Sequence, residues 1–303
     1  MRERTVRRHA RDRDTPLPTR CSQPEPPSWG SVTVEQQTTT RPLVVAHRGA
    51  SDEEAEHTLR AYRKAFDHGA DGVECDVRLT ADHHLVCVHD RRVERTSNGS
   101  GVVSTLELAR LEQLDWASWK SGPGESERPE SDPERGHLLT LRRLLDTLVD
   151  TGDEVITLIE TKHPTRHGDD VEKTLVQVLR AFDLDRGDRP GRPKVRVMSF
   201  SARALQRVHK LSPDVPLVHL VSAKGRSLPL DGTLPPGVHI VGLDIAFLRK
   251  KPSVVQKYRR HGHGVFVWTV DREEDMDLCR ELGVDVVITN RPRAAIDRME
   301  AAG

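Results

Sequence analysis

The chain has 303 residues, 35% of them hydrophobic and 31% charged, a size and balance that fit one large globular domain or two ordinary ones and argue against wholesale disorder. Its 47 basic residues are matched by 47 acidic ones and only 4% of residues are aromatic, so neither a polyanion-binding face nor a base-stacking platform for nucleic acid is indicated. No apolar run approaches the roughly 18–20 residues of a spanning helix, which predicts no stable membrane insertion. Cys21, Cys75, Cys87 and Cys279 form no CxxC pair and no disulfide framework, so a reducing, cytoplasmic setting is expected.

In chain order, the first forty residues stand apart. Met1–Asp14 carries six arginines against three acids, and Thr15–Ser28 is rich in proline. Neither stretch has helical or strand periodicity, and no apolar segment follows the basic start as a secretory signal requires. A disordered tail over residues 1–40 and a single domain over 41–303 are expected. From Pro42 onward short apolar runs alternate with amphipathic ones. The strand candidates are Leu43–Ala46, Gly72–Val77, Leu85–His89, Val155–Glu160, Val195–Phe200, Leu217–Val221, His239–Leu243, Val265–Val270 and Val284–Thr289. Helical patterns cover Glu56–Asp67, Leu141–Val149, Val171–Phe182, Ala202–Leu211, Pro252–His261 and Glu273–Leu282. Gly69, Gly262 and Gly283 sit where left-handed helix caps are needed, and Ser121–Gly136 reads as an exposed loop.

Such alternation predicts an α/β fold with a parallel sheet covered by helices. Nine strands are one too many for an eight-stranded barrel. Only Arg78–His84 joins the second and third, too short for a parallel crossover, so these two form a hairpin. With its turn near Asp82-His83, facing residue numbers sum to about 165 and His89 is expected opposite Asp76. Eight parallel strands remain. The prediction is a TIM-type (β/α)8 barrel with a small hairpin extension at the carboxyl-end mouth.

In such a barrel the carboxyl ends of the strands form the active site. Strand one ends in His47-Arg48-Gly49, strand two carries Glu74 and Asp76 on one face, and the hairpin returns with His89-Asp90. Val155–Glu160 ends in a carboxylate with Lys162 two residues on, and Val265–Val270 brings Trp268 to the rim. Three clustered carboxylates repel one another unless a cation neutralises them, and oxygen ligands without cysteine favour Mg²⁺ or Ca²⁺, with Mn²⁺ as a further candidate. Two histidines beside them form an acid/base pair, while Arg48 and Lys162 supply donors suited to phosphate. These are the parts neutral-pH phosphodiester cleavage needs.

Other motifs carry less. Gly99-Ser100-Gly101 lacks the setting of a dinucleotide loop, His261-Gly262-His263 precedes a strand and falls at the stability end, His83-His84 caps the hairpin, and Ser199 has no triad histidine.

At its rim residues the chain resembles the glycerophosphodiester phosphodiesterase family. The matching segments are His47-Arg48-Gly49, Ala55-Glu56-His57-Thr58, Gly69–Val77, Thr80-Ala81-Asp82, Val86–Asp90, Arg95–Gly99, Glu160-Thr161-Lys162, Ser199-Phe200 and Val267–Val270, spread over about residues 42 to 294. The resemblance implies His47 and His89 as the acid/base pair and Glu74, Asp76 and Glu160 as ligands of one divalent cation. It also implies Arg48 and Lys162 as phosphate contacts; Trp268 is taken as a substrate contact and Glu56 as an additional site candidate. The chain departs from the family pattern in three places: Pro-Glu-Asn-Thr is Ala55-Glu56-His57-Thr58, the usual Asn after Trp-Thr-Val is Asp271, and the final Thr-Asp is Thr289-Asn290.

The expected activity is metal-dependent hydrolysis of small-molecule glycerophosphodiesters to sn-glycerol 3-phosphate and an alcohol. The alternatives are a related barrel phosphodiesterase acting on lysophospholipid or sphingophospholipid head groups, and a non-catalytic phosphate-binding protein. No sequence feature specifies an oligomeric state.

Overall fold

The computed structural model describes residues 41–120, 136–222 and 231–301. The proposed tail and nearly all of the Ser121–Gly136 loop fall outside the described residues. Nine strands are present among the described residues, β1 (Leu43–His47), β2 (Gly72–Leu79), β3 (Leu85–Cys87), β4 (Ile156–Thr161), β5 (Lys194–Ser199), β6 (Leu217–Val221), β7 (Ile240–Asp244), β8 (Gly264–Trp268) and β9 (Val286–Thr289). Their order is β1-β9-β8-β7-β6-β5-β4-β2-β3, and β1 also pairs with β2, which closes eight parallel strands into the expected TIM-type barrel. The helices are α1 (Leu59–Asp67), α2 (Leu108–Leu111), α3 (Leu141–Asp150), α4 (Asp170–Ala181), α5 (Ala202–Leu211), α6 (Ile245–Lys250), α7 (Val254–Arg260), α8 (Glu273–Glu281) and α9 (Pro292–Glu300).

Strand parity divides the core. Val45, Leu158, Met198, Val218, Leu220, Phe266, Val286 and Ile288 pack together inside the barrel. The alternate residues Val44, Val241, Leu243, Val265, Val267 and Val287 join a cluster with the helices outside. With both faces buried, these strands read as near-continuous Val/Ile/Leu runs. A smaller cluster, including Val86, Val93, Leu111 and Trp116, supports the segment between β3 and α3.

Besides the four-residue α2, two helices, α6 and α9, have no counterpart among the expected elements. The first begins at once where β7 ends, with Asp244 Oδ1 accepting from Ala246 N at 2.7 Å, so a single apolar run hides the strand-to-helix change. The second opens on Pro292, whose fixed φ suits a first helical turn. Helix α1 starts at Leu59 rather than Glu56, because Thr58 caps it by accepting from Ala61 N at 3.2 Å. That shift frees Glu56 and His57 from the helix.

The hairpin is present, with one correction. Val77 pairs with Cys87 and Leu79 with Leu85, so facing numbers sum to 164 and Val88, not His89, stands opposite Asp76. Val88 N donates to Asp76 O at 3.0 Å, and the chain then bends at His89-Asp90. His89 reaches the mouth through that bend, not by ladder alternation. Val77 also pairs with Thr161 of β4, while Gly72–Glu74 pair with both β4 and β1. Strand β3 therefore occupies the β2 edge that β1 vacates beyond His47, and β4 holds the opposite edge.

Candidate active site

The site is the last inward layer of the barrel. The parity that places Val45, Leu158, Phe266 and Ile288 inside places His47, Glu160, Trp268 and Asn290 two residues further on, at the carboxyl ends. Register aligns them: His47 pairs with Glu74, and Asp76 pairs with Glu160. One oxygen from each of Glu74, Asp76 and Glu160 lies within 4.8 Å of the others, and all three residues are buried. This is the only such group of His, Cys, Asp or Glu among the described residues.

The turn after β1 explains the His-Arg-Gly order. Arg48 adopts φ 60° and Gly49 φ 84°, and a side chain on Gly49 would collide with the Ala61 backbone at 2.6 Å. The turn is thereby packed against α1 while Arg48 swings inward. Its backbone N donates to Glu74 O at 3.0 Å and to Glu74 Oε2 at 3.1 Å, its Nη1 to Glu56 Oε1 at 3.1 Å, and its Nε lies 3.0 Å from Asp76 Oδ2 in an ion pair. From the opposite edge Lys162 Nζ stands 2.8 Å from Glu160 Oε1 and 3.1 Å from Asp76 Oδ1.

These cations divide the cluster's charge. Burial alone would raise the pKa of Asp76, but Lys162, a hydrogen bond from His57 and the charge of Arg48 hold its carboxyl well below the usual range. Burial and then the Asp76 charge push Glu74 well up, and the same two causes push Glu160 up to about 7. Asp76 Oδ1 has no hydrogen-bond partner, since Lys162 meets it only as an ion pair. A buried trio of hard oxygens in which one carboxylate stays charged, two favour protons and one oxygen lacks a hydrogen bond fits a divalent cation.

His47 Nδ1 lies 2.7 Å from Asn290 Oδ1, and the Asn290 amide nitrogen donates to Asp271 Oδ2 at 2.7 Å. The amide oxygen is thus turned to the ring, Nδ1 must donate, and Nε2, 4.0 Å from Glu74 Oε2, is left to exchange a proton. Burial, followed by the Arg48 charge, lowers the His47 pKa to about 3. His89 is oriented by a carboxylate instead, with Nδ1 2.6 Å from Asp90 Oδ1. Its pKa is also lowered, with burial again the main cause. Trp268 spends its indole N–H on Gly242 O at 3.1 Å and meets Phe200 edge-on at 5.4 Å between ring centroids, so its ring is at the mouth with its donor already used.

Sequence reasoning assigned no role to several residues that hold this layer in place. His57, where the family pattern has Asn, is buried with Nε2 3.0 Å from Asp76 Oδ2 and Nδ1 2.9 Å from the Tyr62 hydroxyl. Arg95 grips both Glu56 oxygens at 2.7 Å and Asp90 Oδ2 at 2.5 Å. Asp271 and Asn290, the two reversed positions of the pattern, are hydrogen-bonded to each other. Inward parity along Val286, Ile288 and Asn290 was the available signal for the last of these.

Two histidines, a buried carboxylate trio and two flanking cations thus meet at the mouth of a closed barrel, and comparison with known proteins gives the class, a phosphodiesterase, and the family. A family model described as "Glycerophosphoryl diester phosphodiesterase family" matches residues 47–294. The chain is 43% identical over 251 residues to a Mycobacterium tuberculosis protein named "Probable glycerophosphodiester phosphodiesterase 1", covering 83% of this chain and 90% of that one. It is 34% identical over 255 residues to the Bacillus subtilis glycerophosphodiester phosphodiesterase, covering 83% and 84%. In fold it is similar to an Oleispira antarctica phosphodiesterase solved with the product sn-glycerol-3-phosphate, at TM-score 0.71 and 24% identity over 87% of this chain and 98% of that one. An Agrobacterium tumefaciens glycerophosphodiester phosphodiesterase gives TM-score 0.64 at 23% identity, covering 84% and 99%. The chain belongs to the glycerophosphoryl diester phosphodiesterase family. It is an enzyme acting on a small-molecule substrate, and no helix among the described residues is long and apolar enough to cross a membrane.

Proposed function

We propose that the protein hydrolyses glycerophosphodiesters to sn-glycerol 3-phosphate and an alcohol, using one divalent cation and the His47/His89 pair. The observation that carries this reading is the buried Glu74–Asp76–Glu160 cluster in register with His47 and flanked by Arg48 and Lys162. Those three carboxylates would hold the cation, Mg²⁺ or Ca²⁺ with Mn²⁺ as a further candidate, which supplies Lewis-acid polarisation of the phosphoryl oxygens. Arg48 and Lys162 place fixed positive charge beside the phosphate as charge develops on it. One histidine takes the proton of the attacking oxygen as the new P–O bond forms; where that oxygen is the adjacent glycerol hydroxyl instead of water, the cyclic phosphate produced is opened by a water in a second step, with the two histidines exchanging roles. The other gives a proton to the alcohol oxygen as the old bond breaks. Asn290 and Asp90 hold the two rings so that Nε2 exchanges the proton in each. The product bound to the Oleispira relative is the one expected here.

The test is release of glycerol phosphate from a panel of glycerophosphodiesters, with lysophosphatidylcholine included. Metal-stripped protein is used, and Mg²⁺, Ca²⁺ and Mn²⁺ are restored singly. Release that needs one of the cations is expected. Release unaffected by chelation, or preference for the acylated lipid, would overturn the reading.

A further inference from the structure

A pocket of about 210 Å³ adjoins the active site and shares only Lys162 with it. That is well above the roughly 10–15 Å³ needed for one water. It lies between the end of β2, the helical turn Val103–Thr105 that follows the hairpin, and the β4–α4 loop. Its polar lining is Arg78, Arg91, Ser104, Lys162, Thr165 and Arg166, and none of its lining residues is acidic.

What sets these arginines apart is that three of them, with Lys162, line one pocket that has no acidic residue. Arg41, Arg48, Arg95, Arg196 and Arg249 are all paired with carboxylates. Among the described residues no carboxylate is in ion-pair contact with Arg78, Arg91 or Arg166, and Arg78 directs only its Nε to a partner, the His89 carbonyl at 2.9 Å. The carboxylates whose charge reaches Arg78 are already engaged, Asp76 and Glu160 by Lys162 and Asp90 by Arg95. Cations converging without a counter-charge raise one another's energy, as the carboxylates do in the metal cluster. Burial lowers the proton affinity of Arg78, and the charge of Arg91 acts in the same direction.

We infer that this pocket is a second anion subsite, and that it takes a carboxylate or phosphate carried by the alcohol half of the substrate. The inference rests on the glycerophosphodiester reading above. Lys162 is common to both sites, so a group tethered by a few bonds to the scissile phosphate reaches the arginines. The glycerol half carries no charge, and only the alcohol half varies enough to supply one. Guanidinium forks match both carboxylate and phosphate. The enzyme should therefore favour diesters whose alcohol is anionic.

Matched substrates test this. Glycerophosphoserine differs from glycerophosphoethanolamine by one carboxylate, and glycerophosphoinositol 4-phosphate differs from glycerophosphoinositol by one phosphate. Within each pair kcat/KM should favour the anionic member by about tenfold. Arg91→Gln and Arg166→Gln, changes at exposed positions, should each reduce that ratio several-fold, chiefly through KM. Arg166→Glu should invert it, and melting curves establish that the variants fold. Equal turnover within both pairs, or ratios that the arginine variants leave in place, overturns the subsite while leaving the parent activity standing. No turnover of any diester instead overturns the parent reading. A free anion as the true occupant would make the arginine variants alter the sulfate dependence of glycerophosphoethanolamine hydrolysis without moving either ratio, and that too overturns the substrate assignment.

Discussion

His47 and His89 are the same residue type at one mouth, yet they are held by different physics. His47 is the end of a barrel strand, its side chain 15% exposed, and its partner Asn290 is a neutral amide fixed by Asp271 at the end of the same barrel. His89 sits on a bend beyond a three-residue strand, its side chain 33% exposed, and its support is a chain of charges running Asp90, Arg95, Glu56, Arg48. A packed strand end holds its geometry across pH and salt. A lattice of ion pairs holds only while its carboxylates are ionised and its field unscreened. The barrel side is therefore expected to be the rigid half of the site and the hairpin side the adjustable half.

The largest effect should come from the cluster between the two halves. Glu74→Gln, Asp76→Asn and Glu160→Gln should each weaken metal binding by more than the roughly 10–100-fold typical of supporting residues, with activity lost in parallel. Wild-type metal binding by calorimetry in all three variants would refute the ligand assignment. Because the Glu160 carboxyl is pushed up to about 7 by burial and the Asp76 charge, cation affinity should fall as pH drops through 7, with proton release on binding below it. Titrations in buffers of different ionisation enthalpy measure that release.

Next in size are the histidines themselves. His47→Ala and His89→Ala should keep the metal and lower kcat by roughly 10²–10⁴. A nitrophenyl ester, whose leaving group needs no proton, should rescue one variant much more than the other and so identify the acid. Near wild-type turnover of natural substrate in either variant would break the paired mechanism.

The supports should separate the two sides more finely. Asn290→Ala and Asp90→Ala each remove one orienting hydrogen bond, and a loss of about 1–1.5 kcal/mol corresponds to a fivefold to tenfold fall in kcat. High salt should shrink the defect of Asp90→Ala, because screening weakens in wild type the ion pairs the variant has already lost, and leave that of Asn290→Ala alone. The same salt response in both would remove the distinction drawn above.

Acid should act on the hairpin side. Burial opposes ionisation of Glu56, but hydrogen bonds from Arg95 and the charge of Arg48 bring its pKa down to about 2. A carboxyl lowered on folding stabilises above its unfolded value and loses that contribution as pH falls through its folded one. Glu56→Gln should accordingly melt about 2–4 °C below wild type at pH 7, with the gap closing between pH 4.5 and 2. A constant gap across that range would show that the effect is steric. Smallest of all should be removal of residues 1–40, with turnover and melting temperature unchanged; a clear fall in either would extend the functional domain into the tail.

Much of this was already legible in the residues themselves. Strands buried on both faces favour short runs rich in Val, Ile and Leu, so the nine strands of the described residues were visible in the pattern, and the seven-residue Arg78–His84 link forced a hairpin on length alone. Period-two alternation likewise put Glu74 and Asp76 on one face and the rim residues at strand ends. What the sequence could not carry was anything set by the meeting of distant segments. Whether facing numbers sum to 164 or 165 depends on the turn geometry at His83, with φ 63°, and one residue decides which side chain faces Asp76. His57 beside Asp76, Asn290 beside His47, and three arginines around one pocket come from separate stretches of chain, brought together by barrel closure and the hairpin fold. Local propensity determines which elements form, but charge and hydrogen-bond partners are chosen by distance in space, and that distance exists only once the barrel has closed.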